Sequence, residues 1–262
     1  MKPSGKMLSD GFYIFKSTKV VCMKYELQTI PVWDGLHSGC ECLLCELMKK
    51  AETHAVSYFL GSSVMHPETR VEVNAKGFCP SHWSKLIKAN KPQALGLISH
   101  TYLEATMQKL EKSFRQLERA KAGRKTANAV DEVVKAIETR EAGCLICEQM
   151  ENTLARYAFT TVHLWKQDPE FRTEFSQSKG VCLHHMITLL HMAPETLDAG
   201  ERLLFAQELA ELTKRNLARL EREVWWMTQK YKSEHQDAPW NGCEDAHKRV
   251  VRKLTGESRI LT

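Results

Sequence analysis

The chain predicts an all-α, internally duplicated fold. Three observations carry that expectation. Breaker-poor stretches follow each cysteine motif, long apolar seams recur at helical spacing, and one set of motifs appears twice.

The repeat organises the rest. CLLCELM at 42–48 returns as CLICEQM at 144–150, and PETR at 67–70 returns as PEFR at 169–172, both offset by 102 positions. After one inserted residue, KGFCPSH at 76–82 returns as KGVCLHH at 179–185. Six of the nine cysteines thus fall into two equivalent triplets, each with a histidine. Cys22, Cys40 and Cys243 are left over, and Ala142 stands where a counterpart of Cys40 would be.

A helix is expected to start at each CxxC, over CELMKKAETHAVSYFL and CEQMENTLARYAFTTVHLW, and a second near each CxxH. Farther on, Leu103, Met107, Leu110, Phe114 and Leu117 are spaced 4-3-4-3, and Leu217, Leu220, Val224, Met227 and Tyr231 are spaced 3-4-3-4. Both read as seams of long helices buried in a helix-on-helix core. Only RVEVN at 70–74 hints at a strand. The organisation expected is an extension without fixed structure at 1–22, a first helical repeat at 23–121, and a linker with a short helix at 122–141. A second repeat at 142–236 and a packed C-terminal segment at 237–262 complete it.

Composition narrows the function classes. Hydrophobic content of 43% and charged content of 26% are those of an ordinary globular protein. The net charge of +5 resides mostly in residues 1–24, where five lysines face one aspartate. The basic run at 115–125 lacks interleaved aromatics, which argues against nucleic acid. No run approaches the roughly 20 apolar residues of a membrane span, and Lys16 and Lys19 interrupt the only apolar stretch near the start. A cytoplasmic protein with no membrane association is expected. Its cysteines are then metal ligands or redox groups rather than structural disulfides.

Two thiols three apart, followed about 35 residues later by Cys-x-x-His, have the spacing of a zinc site. Each pair sits at a turn or first helical turn and directs both donors to one side, and two facing pairs make a tetrahedron. Taken within each half, Cys42, Cys45, Cys79 and His82 form one set, and Cys144, Cys147, Cys182 and His185 the other. The cofactor expected is zinc at two sites. The alternatives are an iron–sulfur cluster with one histidine ligand, thiol–disulfide chemistry, or small buried cysteines in a duplicated core. Gly77 and Gly180 suit a tight turn before each CxxH. Arg70 and Arg172 are expected to do one job twice, as a salt bridge or a carbonyl clamp. His184 is not counted as a ligand, because Ser81 takes its place in the first half. DAPWNG at 237–242 reads as a turn pinned by Trp240. No phosphate loop, nucleophile elbow, paired-carboxylate motif or HExxH is present, so no catalytic residue is assigned.

Together, KYELQTIPVWDG (24–35), CLLCEL, FLGSSVM (59–65), PETRVEVNAKGFCPSH, CLICE, the PEFR and KGVCLHH segments and DAPWNG resemble a bacterial family known only as domain of unknown function 6062. The resemblance covers about residues 23–256 and implies no established activity. The sequence therefore points to a metal-stabilised binding or accessory protein with an unidentified protein or small-molecule partner. Its rival is an iron–sulfur or thiol-based redox or sulfur-handling protein, and an apolar small-molecule carrier is a third reading.

Overall fold

The computed structural model describes residues 25–123 and 126–257. The expected extension at 1–22, Cys22 included, lies outside them. The described residues form eleven α-helices and no strand, so the all-α expectation holds. After α1 (Thr29–His37), five helices run α2 (Leu43–Phe59), α3 (Pro67–Lys76), α4 (Pro80–Lys88), α5 (Pro92–Glu118) and α6 (Thr126–Glu141). Five more repeat the order: α7 (Leu145–Gln167), α8 (Pro169–Gln177), α9 (Leu183–Met192), α10 (Ala199–Gln229) and α11 (Ala246–Thr255). CxxC opens α2 and α7, and CxxH opens α4 and α9.

The core lies where α2 packs on α7, with α1 laid across both. Ile146, Met150, Leu154, Ala158 and Val162 recur every fourth residue along α7 and are buried, which forms one apolar stripe on a helix. Leu43, Leu44, Leu47, Met48, Ala55, Val56 and Phe59 do the same on α2. Aromatic rings extend the core outward: Phe59, Phe78, Trp83 and Tyr102 form a chain of edge-to-face contacts with centroids 4.9–5.5 Å apart.

Four sequence expectations change. RVEVN is helical, lying inside α3. Pro67 at the first turn and Gly77 at the end bracket it as a helix, and the alternation reflects one buried and one exposed valine, Val73 and Val71. The α5 seam is not core: Leu103 and Met107 are 58% and 62% exposed, and Phe114 and Leu117 also face outward. Helix α5 packs on α6 and α3, and these partners leave the seam partly open. The α10 seam is mixed, with Leu220 buried and Tyr231 exposed. The C-terminal turn is pinned as much by Lys230 as by Trp240, since the Lys230 ammonium donates to the carbonyls of His235, Gln236 and Ala238.

Candidate metal centres

All four pincers are built the same way, from a helix N-terminus. Cys42, Cys79, Cys144 and Cys182 are N-cap residues, and Cys45, His82, Cys147 and His185 lie three positions on. The Sγ of Cys42 accepts from the Cys45 amide at 3.4 Å, and those of Cys144 and Cys182 accept from the Cys147 and His185 amides at the same distance. A thiol at the N-cap does what Ser or Asp does there, satisfying an orphan N–H. The geometry turns both donors of the pair past the helix end, where the positive end of the macrodipole favours thiolates. Before each CxxH, Gly77 and Gly180 adopt φ of +68° and +67°, a region that a side chain resists.

Both motif types converge, but not within each half. Cys42 and Cys45 meet Cys182 and His185, while Cys79 and His82 meet Cys144 and Cys147. The two within-half sets expected from the sequence are thus corrected to two cross-half sets. Each CxxC faces the CxxH of the other half. Backbone pairing locks the exchange: the Leu43 amide donates to Gly180 O at 3.2 Å, and the Leu145 amide donates to Gly77 O at 3.1 Å.

The donor spacing tests whether the residues present fit an ion. Within each set all four donor atoms lie within 4.8 Å of one another. Cys45 and Cys182 bring their sulfurs to 3.8 Å, as do Cys79 and Cys147. His185 Nδ1 stands 3.3–3.4 Å from Cys42, Cys45 and Cys182, and His82 Nδ1 stands 3.2–3.4 Å from Cys79, Cys144 and Cys147. A tetrahedral ion with about 2.3 Å bonds to sulfur and about 2.0–2.1 Å to nitrogen needs S···S of about 3.8 Å and S···N of about 3.6 Å. Each set can hold a metal ion with little movement.

Electrostatics point the same way. Burial pushes the Cys42 thiol well above its ordinary range, and the bond with Cys182 pushes Cys45 up to about 12. Cys182, which accepts from both, is held far below that range. In the second set burial acts to raise Cys144, but the bond from His82 and nearby amides outweigh it and bring the thiol down to about 6. Cys147 is pushed up by burial and by Cys144. Burial alone would lower His82, yet its bonds to Cys144 and Glu52 carry it up to about 10. Each cluster therefore concentrates negative charge on one sulfur while neighbours keep their protons. A divalent cation is what lets three buried thiolates coexist.

The two sets differ around the donors. His82 donates its other ring nitrogen to Glu52 Oε1 at 3.0 Å, and Glu52 is paired with Lys85. His185 Nε2 is buried without a hydrogen-bond partner. Leu154 and Thr188 occupy the positions equivalent to Glu52 and Lys85. Lys253 of α11, wholly buried, donates instead to Glu41 O at 2.9 Å and to Lys179 O beside the Cys42 set. Neither Glu52 nor Lys253 belongs to a repeated motif, and only their chain-distant packing reveals them.

The remaining candidates stay outside the clusters. Cys40 Sγ lies 3.0 Å from Ser38 Oγ, and Cys243 Sγ faces Asn241 O at 3.7 Å. His184 lies beside His185, its ring tilted 57° from it, but belongs to neither set. Arg70 clamps the Val64 carbonyl at 2.8 Å, whereas Arg172 pairs with Glu208 and lies over the Trp165 ring. The equivalent arginines therefore do different jobs.

Among the described residues no helix is long and apolar enough to cross a membrane. No curated protein and no solved structure matches the chain. One family profile does, over residues 23–260, nearly the whole length. The chain therefore belongs to DUF6062, a family of unknown function.

Proposed function

We propose that this is a zinc-binding protein that carries one ion in each cross-half set and acts as a binding or accessory protein rather than as a catalyst. The observation that carries the reading is the donor spacing: three sulfurs and one imidazole nitrogen, mutually 3.2–3.8 Å apart where they touch, in both sets. That spacing suits four bonds to one ion. A cluster with each ligand on a different iron would spread its donors farther apart. Zinc accepts Cys3His sets readily and needs no redox partner or assembly apparatus.

In this reading the chain's own residues do three things. Four N-terminal helix turns present thiolates, the imidazoles complete each tetrahedron through Nδ1, and the ions cross-brace the two halves.

The test is metal analysis of protein purified without oxygen. Two equivalents of zinc per chain in a colourless preparation support the reading. A brown preparation with iron and acid-labile sulfide, or metal-free folded protein, overturns it.

A further inference from the structure

The duplication gives the two centres the same donors in the same helix-end positions, so any difference between them comes from what surrounds them. Three differences separate them.

The first is access. Cys42, Cys45 and Cys182 are buried, as is His185, whereas Cys79 and Cys147 are only half-buried. The second is cover. Helix α11 lies against α9, Lys253 is buried at its end, and the chain then turns at Gly256, φ +74°, over the sulfurs. A Cβ on Gly256 would stand 3.3 Å from Cys182 Sγ and 3.9 Å from Cys45 Sγ. The Glu257 carboxylate closes the turn on Arg252 at 2.6 Å. The counterpart of α11, α6, ends differently. It runs through Gly143 directly into Cys144, so it supplies a ligand to the other centre in place of a lid. The third difference is the support of the histidine: Glu52 holds His82, and nothing holds His185 Nε2.

Access and support act on different quantities. A carboxylate behind a ligating histidine raises metal affinity, typically by about 10–100-fold. Exposed thiolates raise the rate at which an incoming ligand can reach the ion. The Cys79 centre combines both, so it holds metal firmly against simple loss yet admits a competitor. The Cys42 centre has neither feature, and its ion is held by enclosure.

We propose, building on the zinc reading, that the centre formed by Cys79, His82, Cys144 and Cys147 is an exchange site that passes zinc to and from thiol-bearing ligands, while the Cys42–Cys45–Cys182–His185 centre keeps its ion. In the exchange, an incoming thiol gives up its proton and its sulfur bonds to zinc. Cys79 or Cys147 leaves the ion and takes a proton, so charge and atoms balance and no oxidant is needed.

The experiment uses the full-length, zinc-loaded protein without oxygen. It is treated with N-ethylmaleimide in the presence of a chromophoric zinc chelator, and the alkylated cysteines are mapped by peptide mass spectrometry over time. One equivalent of zinc should leave at least about tenfold faster than the other, because the enclosed centre must first open locally. Cys79 and Cys147 should be alkylated in step with that first equivalent, and Cys42, Cys45 and Cys182 only with the second. Cys40, half-buried and outside both centres, reports labelling that is independent of zinc release. Release of both equivalents in one phase, or early labelling of Cys42, Cys45 or Cys182, overturns the proposal and leaves the zinc reading standing. Folded protein that carries no zinc from the outset removes both.

Discussion

Cys45 and Cys182, 137 residues apart in the chain, bring their sulfurs to 3.8 Å. The equivalent pair in the other centre, Cys147 and Cys79, shows the same separation. Both contacts join one half of the duplication to the other, so an ion bound in either set would cross-brace the halves rather than clip one of them locally.

Pairs of substitutions distinguish cross-half from within-half ligation. Cys79→Ala with Cys147→Ala should cost one equivalent of zinc, because both residues serve one centre. Cys45→Ala with Cys79→Ala should cost two, because they serve different centres. Elemental analysis of the purified variants reads the result, and the reverse pattern would restore the within-half sets.

Removing the metal should loosen both halves together. Ligand binding to a site formed only in the folded state is folding free energy. Loss of several kcal/mol in a chain of this size corresponds to a drop in melting temperature of about 10 °C or more. Calorimetry of chelator-treated and zinc-restored protein measures it. A melting curve unchanged by chelation would mean that the helices do not depend on the ions.

Zinc uptake should release protons. In the Cys42 set both Cys42 and Cys45 are pushed up and hold protons at neutral pH, and in the other set Cys147 and His82 do. All four must deprotonate to bind, so each ion should displace at least two protons near pH 7. Protons compete with zinc, so affinity rises with pH and falls as the solution is acidified. Titration calorimetry in buffers of different ionisation enthalpy counts the protons, and a value near zero would contradict the assignment.

Glu52→Gln should weaken one centre only. It replaces the carboxylate that accepts from His82 Nε2, and such a loss costs about 10–100-fold in metal affinity. Competition with a chelator should show one weakened equivalent and one unchanged. Equal weakening of both would mean that Glu52 acts through the fold as a whole.

The two turn glycines should differ in tolerance. A Cβ on Gly77 would meet the Tyr102 ring at 2.4 Å, whereas on Gly180 the nearest atom belongs to Leu212 at 3.0 Å. Both also carry the cost of a left-handed backbone. Gly77→Ala should therefore destabilise by about 2 kcal/mol or more, and by more than Gly180→Ala. Urea unfolding of the two variants side by side gives the comparison.

The residues of the two clusters were legible because the chemistry of a metal site imposes their spacing. An N-cap thiol and a donor three positions on make a pincer wherever a helix begins, so CxxC and CxxH announce themselves. Which pincer faces which was hidden, since either partition satisfies the same spacing. The packing of α2 on α7 decides it, a long-range contact that places each CxxC beside the CxxH of the other half. The α5 seam misled for a related reason. Leu103, Met107, Phe114 and Leu117 have core periodicity, but periodicity states which face is apolar and not whether a partner covers it. Glu52 and Lys253 had no local signal at all, because each acts on a centre through contacts that only the folded chain creates.

The reciprocal bonds from Leu43 to Gly180 and from Leu145 to Gly77 have a consequence for assembly. One half of the chain carries one CxxC and one CxxH, four donors in number, but each pair faces the other half, so a half folded this way closes neither centre alone. Two copies of such a half, set face to face, contain all that both centres need. The present chain is the tethered form of that symmetric pair. The short connection between α5 and α6 and the direct passage from α6 into Cys144 turn a bimolecular encounter into an intramolecular one. Metal loading by this protein should accordingly be independent of how dilute the protein is.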